Sequence, residues 1–233
     1  MKMHTMARAA AIFFGILAIV IGSQSGTARA GEAQTLVDKA VLTVKSFETD
    51  PDMGSMRILL SRAQGVLILP QMLKAGFIVG GEGGSGVMLV RKGESWTPPA
   101  FYTMGAGSIG LQFGAQASEV VLLLMTKRAV DAVLFNKVKL GADASVAAGP
   151  IGAGIEAATT TNFREDVYSY SKSKGLFAGA SVEGAVIEQR ESLNREYYGR
   201  NVSPEDILFK NAVTNPEADV LRQALNALLR SRT

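Results

Sequence analysis

Apolar residues recur at helical spacing near the start of the chain. In residues 33–47 they follow one another at intervals of three and four positions, which is typical of an amphipathic helix with one buried stripe. The stripe consists of Leu36, Val37, Ala40, Val41, Val44 and Phe47. A second, shorter helix is predicted to begin at Asp52, a candidate N-cap, with Met56 and Leu59 on its apolar side.

Two helix starts are marked near the other end of the chain. Ser203 is a candidate cap followed by Pro204 at the first helical position, and Asn215 with Pro216 repeats this arrangement. The second of these helices is predicted to bury one apolar stripe. That stripe consists of Val220, Leu221, Ala224, Leu225 and Leu228. The pattern therefore predicts helices at both ends of the chain.

Between residues 64 and 190 the pattern changes to short apolar runs and to alternation. The segments GVLILP, GFIVGG and GVMLVR have the length of strands, and GSIGLQFGAQAS alternates with a period of two. EVVLLLMT predicts a more fully buried strand, KRAVDAVLFN a short helix, and DVYSYSKSKGLFAGASVEGAVIEQR a hairpin. We expect an α+β fold with a glycine-rich, curved, mostly antiparallel sheet, barrel-like in the extreme case, and helices at both termini.

The glycines of IVGGEGGSGVMLVR, residues 78–91, allow two interpretations. GEGGSG matches the dinucleotide fingerprint G-x-G-x-x-G, whose third glycine must open a helix that holds the phosphates. Here Gly86 leads into VMLVR, which is strand-like, and a second match, GAGSIG, leads into the alternating run. The pattern favours the other interpretation, in which glycines permit bulges, bends and the close approach of another backbone.

The first 30 residues have the features of a secretory signal peptide. Lys2 and Arg8 precede the apolar run AAAIFFGILAIVIG, and Ala28-Arg29-Ala30 fits the A-x-A cleavage rule. We expect cleavage near Ala30 and export to the periplasm or the medium; an uncleaved anchor is the alternative. A single domain is predicted over residues 31–233. Its parts are N-terminal helices at 33–63, a β-rich core at 64–190 and C-terminal helices at 191–230.

Removal of this segment changes the charge and the available chemistry. Three of the 24 basic residues and none of the 21 acidic residues lie in it, so the remaining chain has no net formal charge and no general affinity for nucleic acid. The only histidine, His4, lies there too, and the chain has no cysteine. Imidazole- and thiol-based catalysis and metal binding are thereby excluded. Of the carboxylates, Glu82, Asp143 and Glu156 are candidates without a convincing pair, so we expect no enzyme, metal or cofactor.

Several consecutive blocks of the chain resemble one known family. They are WTPPAFYTMGAGSIGLQFGAQASEVVLLLM, LGADASVAAGPIGAG, YSYSKSKGLFAGASVEGAVI and NREYYG. Together they cover roughly residues 60–200 and resemble the SYLF domain family, which includes adaptors of membrane and actin remodelling and exported bacterial proteins. The resemblance implies a lipid-binding module, with a preference for phosphoinositides and, in some members, actin binding among eukaryotic relatives.

The resemblance also implies an amphipathic, basic N-terminal helix that helps to engage the membrane. In this chain the corresponding helix has Lys39 and Lys45 opposed by Glu32, Asp38 and Glu48, so it is close to neutral. Contact with a membrane and packing on its own domain both remain open for this helix. We expect the protein to bind anionic phospholipid at or near the cell envelope. The alternative is an envelope structural or protein-interaction module without a lipid ligand.

Three pairs of basic residues are candidates for contacts with an anionic head group. Lys172 and Lys174 flank the predicted hairpin turn, where hydroxyls and amides can join in holding a phosphate. Lys127-Arg128 is the second candidate pair. The third is Arg57 with Arg62 on the second helix. For each pair, an ordinary solvated surface is the alternative.

Four aromatic residues are candidates for a membrane interface, because Trp and Tyr suit boundaries between water and apolar groups. Trp96 and Tyr102 lie on either side of Pro98-Pro99, and Tyr197 and Tyr198 end a predicted helix before a glycine. Packing at the edge of the core is the alternative for these rings.

Overall fold

The computed structural model describes residues 31–135, 137–151, 164–173, 176–179 and 182–230, with backbone alone at 51, 75–79, 108–115 and 176–179. The predicted signal peptide, Lys174 and Glu156 lie outside the described residues. The described chain begins with two helices, continues into a sheet of eight strands with one helix inserted, and ends with three helices.

Two helices precede the sheet. Helix α1 spans Glu32–Glu48, and its predicted stripe is confirmed, since five of the six residues are buried and Leu36 packs against the same core. A 3-10 turn at Pro51–Met53 leads to helix α2, Gly54–Arg62. The prediction that Asp52 is a cap is wrong. The 3-10 turn has its cap one residue before Pro51, at Asp50. The Asp50 carboxylate accepts a hydrogen bond of 2.8 Å from the Asp52 N–H.

Two long strands form the centre of the sheet. Strand β1 spans Gly65–Lys92 and strand β3 spans Ala100–Leu124; they are antiparallel, and the short strand β2, Ser95–Trp96, pairs with the end of β1. The three short strands predicted at the start are one strand, and the two predicted later are also one. Pro70 does not end β1 because a bulge there places two residues, Pro70 and Gln71, opposite Glu119, after which pairing resumes.

Strand β1 folds back on itself. Its 28 residues would extend over about 90 Å if straight, yet the Arg91 N–H donates a hydrogen bond of 2.8 Å to the carbonyl of Gln64, just before the strand begins. The glycines make this bend feasible. A Cβ on Gly84 or Gly86 would overlap the backbone carbonyl of Gln71 or Ile68, respectively. The prediction that these glycines admit another backbone is confirmed, although they lie within a strand and not in a connection.

The remaining strands complete a strongly curved half-barrel. Strand β6, Val167–Ser173, pairs antiparallel with β3, and β7, Leu176–Gly179, pairs antiparallel with β6, which confirms the predicted hairpin. Strand β8, Val186–Gln189, pairs with both β3 and β4, Val138–Lys139. Strand β5, Val146–Ala148, runs parallel to β6. The predicted mostly antiparallel α+β architecture is therefore confirmed.

Four more helices are present in the described chain, and two helical segments begin at the predicted caps. Helix α3 spans Lys127–Phe135, α4 Glu191–Tyr198, α5 Pro204–Leu208 and α6 Asp219–Arg230, with a 3-10 turn at Pro216–Ala218. Ser203 forms a capping box with Asp206, and the Asn215 side chain accepts a hydrogen bond of 3.0 Å from the Glu217 N–H. The placement of Val220 in the buried stripe is wrong, since 54% of it is exposed. It lies about 90° from the centre of the stripe, and so at its margin.

The sheet separates two apolar cores. Neighbouring residues of a strand point to opposite faces, so Ile68 enters one core and Leu67 the other. Helices α1, α2 and α6 cover the first face, and α3 and α5 pack on the second. The edge of the first face, where α1 meets the sheet, holds the candidate site.

Candidate functional site

Helix α1 is held to the sheet by a carboxylate of strand β3. Thr43 Oγ1 and Ser46 Oγ donate hydrogen bonds of 3.2 and 2.9 Å to the two carboxylate oxygens of Glu119. Both hydroxyls lie on the sheet side of α1, three residues apart and thus on neighbouring positions of one helix face. Glu119 itself stands opposite the bulge in β1. This contact fixes the polar side of α1 next to the irregularity in the sheet.

A groove lies beside this contact, and we call it the α1 groove. Its volume is about 420 Å³, and residues from α1, β1, β3 and β6 line it: Lys39, Pro70, Gln71, Ala117, Ser118, Glu119 and Lys172. The lining has two ammonium groups and one carboxylate, so its formal charge is +1. A groove with this charge and with hydroxyl and amide groups suits a small anionic group.

The strand register shows which groups share the groove with Lys172. Residues directly opposite each other, or two apart in one strand, point to the same face. Lys172 is opposite Glu119, Ala117 is two residues before Glu119, and Leu73 is opposite Ala117. Leu73 therefore stands on the same face as the groove, and 54% of it is exposed.

A second exposed leucine lies on the helix side. Leu42 is 64% exposed and follows Lys39 by three residues, so the two side chains are neighbours on α1. An apolar residue at this position departs from the buried stripe of α1. The α1 groove thus has two lysines in its lining, with one exposed leucine on the same helix and another on the adjoining sheet face.

The structure separates the predicted head-group residues. Lys172 lines the α1 groove, whereas Asp166, the partner of Arg128, lies six residues away along β6, or about 20 Å. Arg57 Nη1 donates hydrogen bonds of 3.4 and 3.3 Å to the carbonyls of Glu48 and Asp50, so it joins the ends of α1 and the 3-10 turn. Arg62 is exposed near the end of α2. Of the described members of these pairs, Lys172 and Arg128 therefore belong to opposite ends of β6.

The cations at the start of α3 are each paired with a carboxylate. Lys127 pairs with Asp131, and Arg128 with Asp166, which is 6% exposed. Asp166 also accepts hydrogen bonds from Thr126 Oγ1 at 2.7 Å and from the Ser145 N–H at 3.1 Å. Burial alone raises the pKa of Asp166, but the bonds from Arg128, Thr126 and Ser145 outweigh it and hold that pKa at about 2. This pair therefore stabilises the fold.

The aromatic candidates for a membrane interface are packed inside the protein. Trp96 and Tyr102 are 1% and 0% exposed, and Tyr197 is 8% exposed. Tyr198 is half-buried and donates a hydrogen bond of 2.7 Å to the Pro99 carbonyl, while its ring lies edge-on to Tyr197. Burial raises the pKa of all three tyrosines, which keeps them neutral. Trp96 belongs to the core on the first face of the sheet and Tyr102 to the core on the second, so a membrane does not reach either ring in this arrangement.

Of the carboxylates considered for catalysis, Asp143 has a contact within its own turn. Asp143 accepts a hydrogen bond of 2.7 Å from the backbone N–H of Lys139 and so stabilises a turn. Within the described residues, no group of three or more acidic or histidine side chains is placed to hold a metal ion. In the same residues, no helix is long and apolar enough to cross a membrane.

Sequence comparison gives the family. The model of the Ysc84 family, described as Las17-binding protein actin regulator, matches residues 105–228, more than half of the chain. The chain belongs to the Ysc84, or SYLF domain, family. The resemblance predicted from the sequence is thus confirmed, and the Ysc84 match includes most of β3, all of β6 and all but the last two residues of the C-terminal helices.

Relatives of the Ysc84 family align with most of this chain. Protein YSC84 of Saccharomyces cerevisiae is 40% identical over 172 residues, which are 72% of this chain and 36% of that protein. LAS seventeen-binding protein 3 of the same yeast is 39% identical over 172 residues, 72% of this chain and 37% of that protein. SH3 domain-containing YSC84-like protein 1 of Xenopus laevis is 34% identical over 197 residues, 81% of this chain and 58% of that protein. The chain thus spans only part of each relative.

The groove and its surroundings include residues that the sequence pattern does not mark as site residues. Lys39 and Glu119 line the groove, and Leu42 and Leu73 are exposed on the adjoining helix and sheet face. The departure of Leu42 from the apolar stripe is the one local feature that marks this surface. The others are brought together by the bulge and by strand pairing, which connect residues far apart in the chain.

Proposed function

We propose that this protein is a non-enzymatic module that binds anionic phospholipid through the α1 groove. The observation that supports this function best is the combination of Lys39 and Lys172 in one groove with exposed leucines beside it. An anionic head group would lie between the two ammonium groups. Leu42 and Leu73 would enter the boundary between head groups and acyl chains.

The expected strength of such binding follows from its two components. A lysine close to an anionic membrane surface contributes about 1 kcal/mol, an effect that salt weakens. Two leucines that are more than half exposed add apolar area on insertion, at about 25 cal/mol per Å². Neither component alone gives stable anchoring, so we expect reversible, salt-sensitive binding.

We propose the cell envelope as the place where this occurs. The A-x-A sequence at Ala28-Arg29-Ala30 after an apolar run supports export. The outward-facing lipids of an envelope then supply the anionic surface. Release of the protein into the medium with its leader still attached would contradict this part of the proposal.

Vesicle flotation tests the groove. The protein is mixed with vesicles of phosphatidylcholine, with or without phosphatidylglycerol, at low and high salt. We expect flotation with the anionic vesicles at low salt and its loss at high salt. The groove variant combines Lys39→Gln with Lys172→Gln, and Lys45→Gln is its matched control. Lys45 is an exposed lysine of α1 that is not among the residues lining the groove. Equal flotation with neutral and anionic vesicles would contradict the proposal.

A second function is favoured by the names of the relatives. The family description and the yeast LAS seventeen-binding protein 3 both refer to binding of a protein partner. The alternative proposal is therefore an envelope structural or protein-interaction module without a lipid ligand. Native mass spectrometry of the purified protein distinguishes the two: co-purified lipid supports the first function, and a reproducible protein partner without lipid supports the second.

A further inference from the structure

The start of helix α1 contacts a carboxylate from a distant part of the chain. Glu196, on α4, accepts a hydrogen bond of 3.0 Å from the backbone N–H of Ala33. It thereby satisfies one of the amides that the start of a helix leaves without a partner. The residue before the helix, Gly31, supplies no side-chain cap. A carboxylate from elsewhere in the fold takes this role.

The same carboxylate lies directly beside Gly31. A Cβ on this residue would be less than 3.0 Å from Glu196 Oε1, so a side chain there would push the carboxylate aside. The Gly31 nitrogen is two bonds from that Cβ position, which places it within about 6 Å of the carboxylate oxygen. The nearby carboxylate of Glu32 forms an ion pair with a different residue, since its Oε1 is 3.1 Å from Nη1 of Arg190.

The predicted cleavage site is the peptide bond that precedes Gly31. We propose that cleavage after Ala30 creates an α-ammonium group on Gly31 that forms an ion pair with Glu196. A signal peptidase would catalyse attack of water on the Ala30 carbonyl carbon. The bond from that carbon to the Gly31 nitrogen breaks, Ala30 leaves as a carboxylate, and the nitrogen keeps the electron pair and takes up the protons.

The ion pair has a physical role at this position. A positive charge at the start of a helix is repelled by the positive end of the helix dipole. Without a counter-charge, processing would therefore weaken the first turn of α1. Glu196 supplies the counter-charge and keeps its hydrogen bond to Ala33. The inference rests on the export part of the proposed function and is independent of the α1 groove.

The first experiment identifies the new N terminus. The full chain is expressed with its own leader in a bacterial host, and the exported protein is subjected to N-terminal sequencing. We expect Gly31 as the first residue. An exported protein that begins at any other residue overturns the proposal.

The second experiment measures the ion pair in the processed protein. Glu196→Gln keeps an oxygen that can accept from Ala33 but removes the charge. We expect the melting temperature to fall by about 2–4 °C, the shift typical of one ion pair's contribution in a domain of this size. Glu94→Gln, in the exposed turn after β1, is the control for loss of one surface charge and is expected to have no measurable effect.

The third experiment acetylates the α-amine of Gly31. The reaction is selective near neutral pH because the ordinary pKa of an α-amine is well below that of a lysine side chain. In the unchanged protein, acetylation should lower the melting temperature because it removes the pair. In the Glu196→Gln variant it should raise the melting temperature or leave it unchanged, because only the repulsion by the helix dipole is removed. The same shift in both proteins overturns the proposal. Vesicle binding enters none of these measurements, so the two proposals fail separately.

Discussion

The two ends of strand β6 hold positive charge in different ways. Just before the first residue of β6, the buried carboxylate of Asp166 forms an ion pair with Arg128. It also accepts hydrogen bonds from the hydroxyls of Thr126 and Ser145. Near the last residue of β6, Lys172 and Lys39 line an open groove. The carboxylate of Glu119 there accepts hydrogen bonds from two hydroxyls of α1. The first arrangement uses a cation to stabilise a buried carboxylate. The second places two cations in the lining of one groove.

This difference shows why basic pairs in a sequence are not equivalent as binding sites. Lys127-Arg128 and Lys172 are both candidates by sequence; α3 places each of its cations next to an acidic partner, and Lys172 lines a groove together with Lys39. Position in the fold, and not the number of positive charges, distinguishes the two ends. Substitutions should therefore change stability at one end and binding at the other.

The largest effect is expected from Asp166→Ala. The substitution leaves Arg128, Thr126 and Ser145 without their common acceptor, which should lower the free energy of unfolding by about 3 kcal/mol. Urea denaturation measures this change. Asp131→Ala, which breaks only the exposed pair with Lys127, should cost less than about 0.5 kcal/mol and is the matched control. Equal losses in the two variants would show that the end of β6 near α3 has no special stabilising role.

Acid should weaken the same end of β6. The pKa of Asp166 is held at about 2 in the folded protein, below its ordinary 3.8, so its ionised form stabilises the fold. This contribution is fully present above pH 3.8 and is lost as the pH falls through 2. The difference in unfolding free energy between the unchanged protein and Asp166→Asn should shrink from pH 6 to pH 2. A constant difference over this range would contradict the assignment.

A smaller effect is expected from the leucines beside the groove. Leu42→Asn together with Leu73→Asn should weaken binding to anionic vesicles about fivefold, which corresponds to about 1 kcal/mol of lost insertion. Val220→Asn is the control, because Val220 is similarly exposed but lies on α6. Flotation over a series of lipid concentrations gives the affinities. If the control weakens binding equally, the effect is not specific to this surface.

The smallest effect on binding is expected from the cations of α3. Lys127→Gln with Arg128→Gln removes two positive charges, but both are already paired with carboxylates. We expect vesicle affinity to change by less than about twofold. A loss as large as that produced by the groove lysines would show that total surface charge, and not the α1 groove, governs binding.

Local chemistry predicted much of the helical structure. The caps at Ser203 and Asn215 and the stripe of α1 depend on neighbouring residues, and all three are confirmed. The division of β1 into three strands is wrong, because pairing with β3 continues past Pro70, the last residue of GVLILP, through a bulge. The sequence also predicted Lys172 as a candidate but not its neighbour Lys39. Their meeting depends on the packing of α1 against Glu119, which is a contact between residues 76 positions apart.

The most direct test of the α1 groove is the vesicle affinity of the variant with both Lys39→Gln and Lys172→Gln. Glutamine keeps the length and polarity of the side chains and does not place a second negative charge opposite Glu119. At about 1 kcal/mol for each lysine, we expect a loss of roughly 10- to 30-fold in binding to phosphatidylglycerol vesicles at low salt. An affinity equal to that of the unchanged protein would contradict the proposed function of the groove.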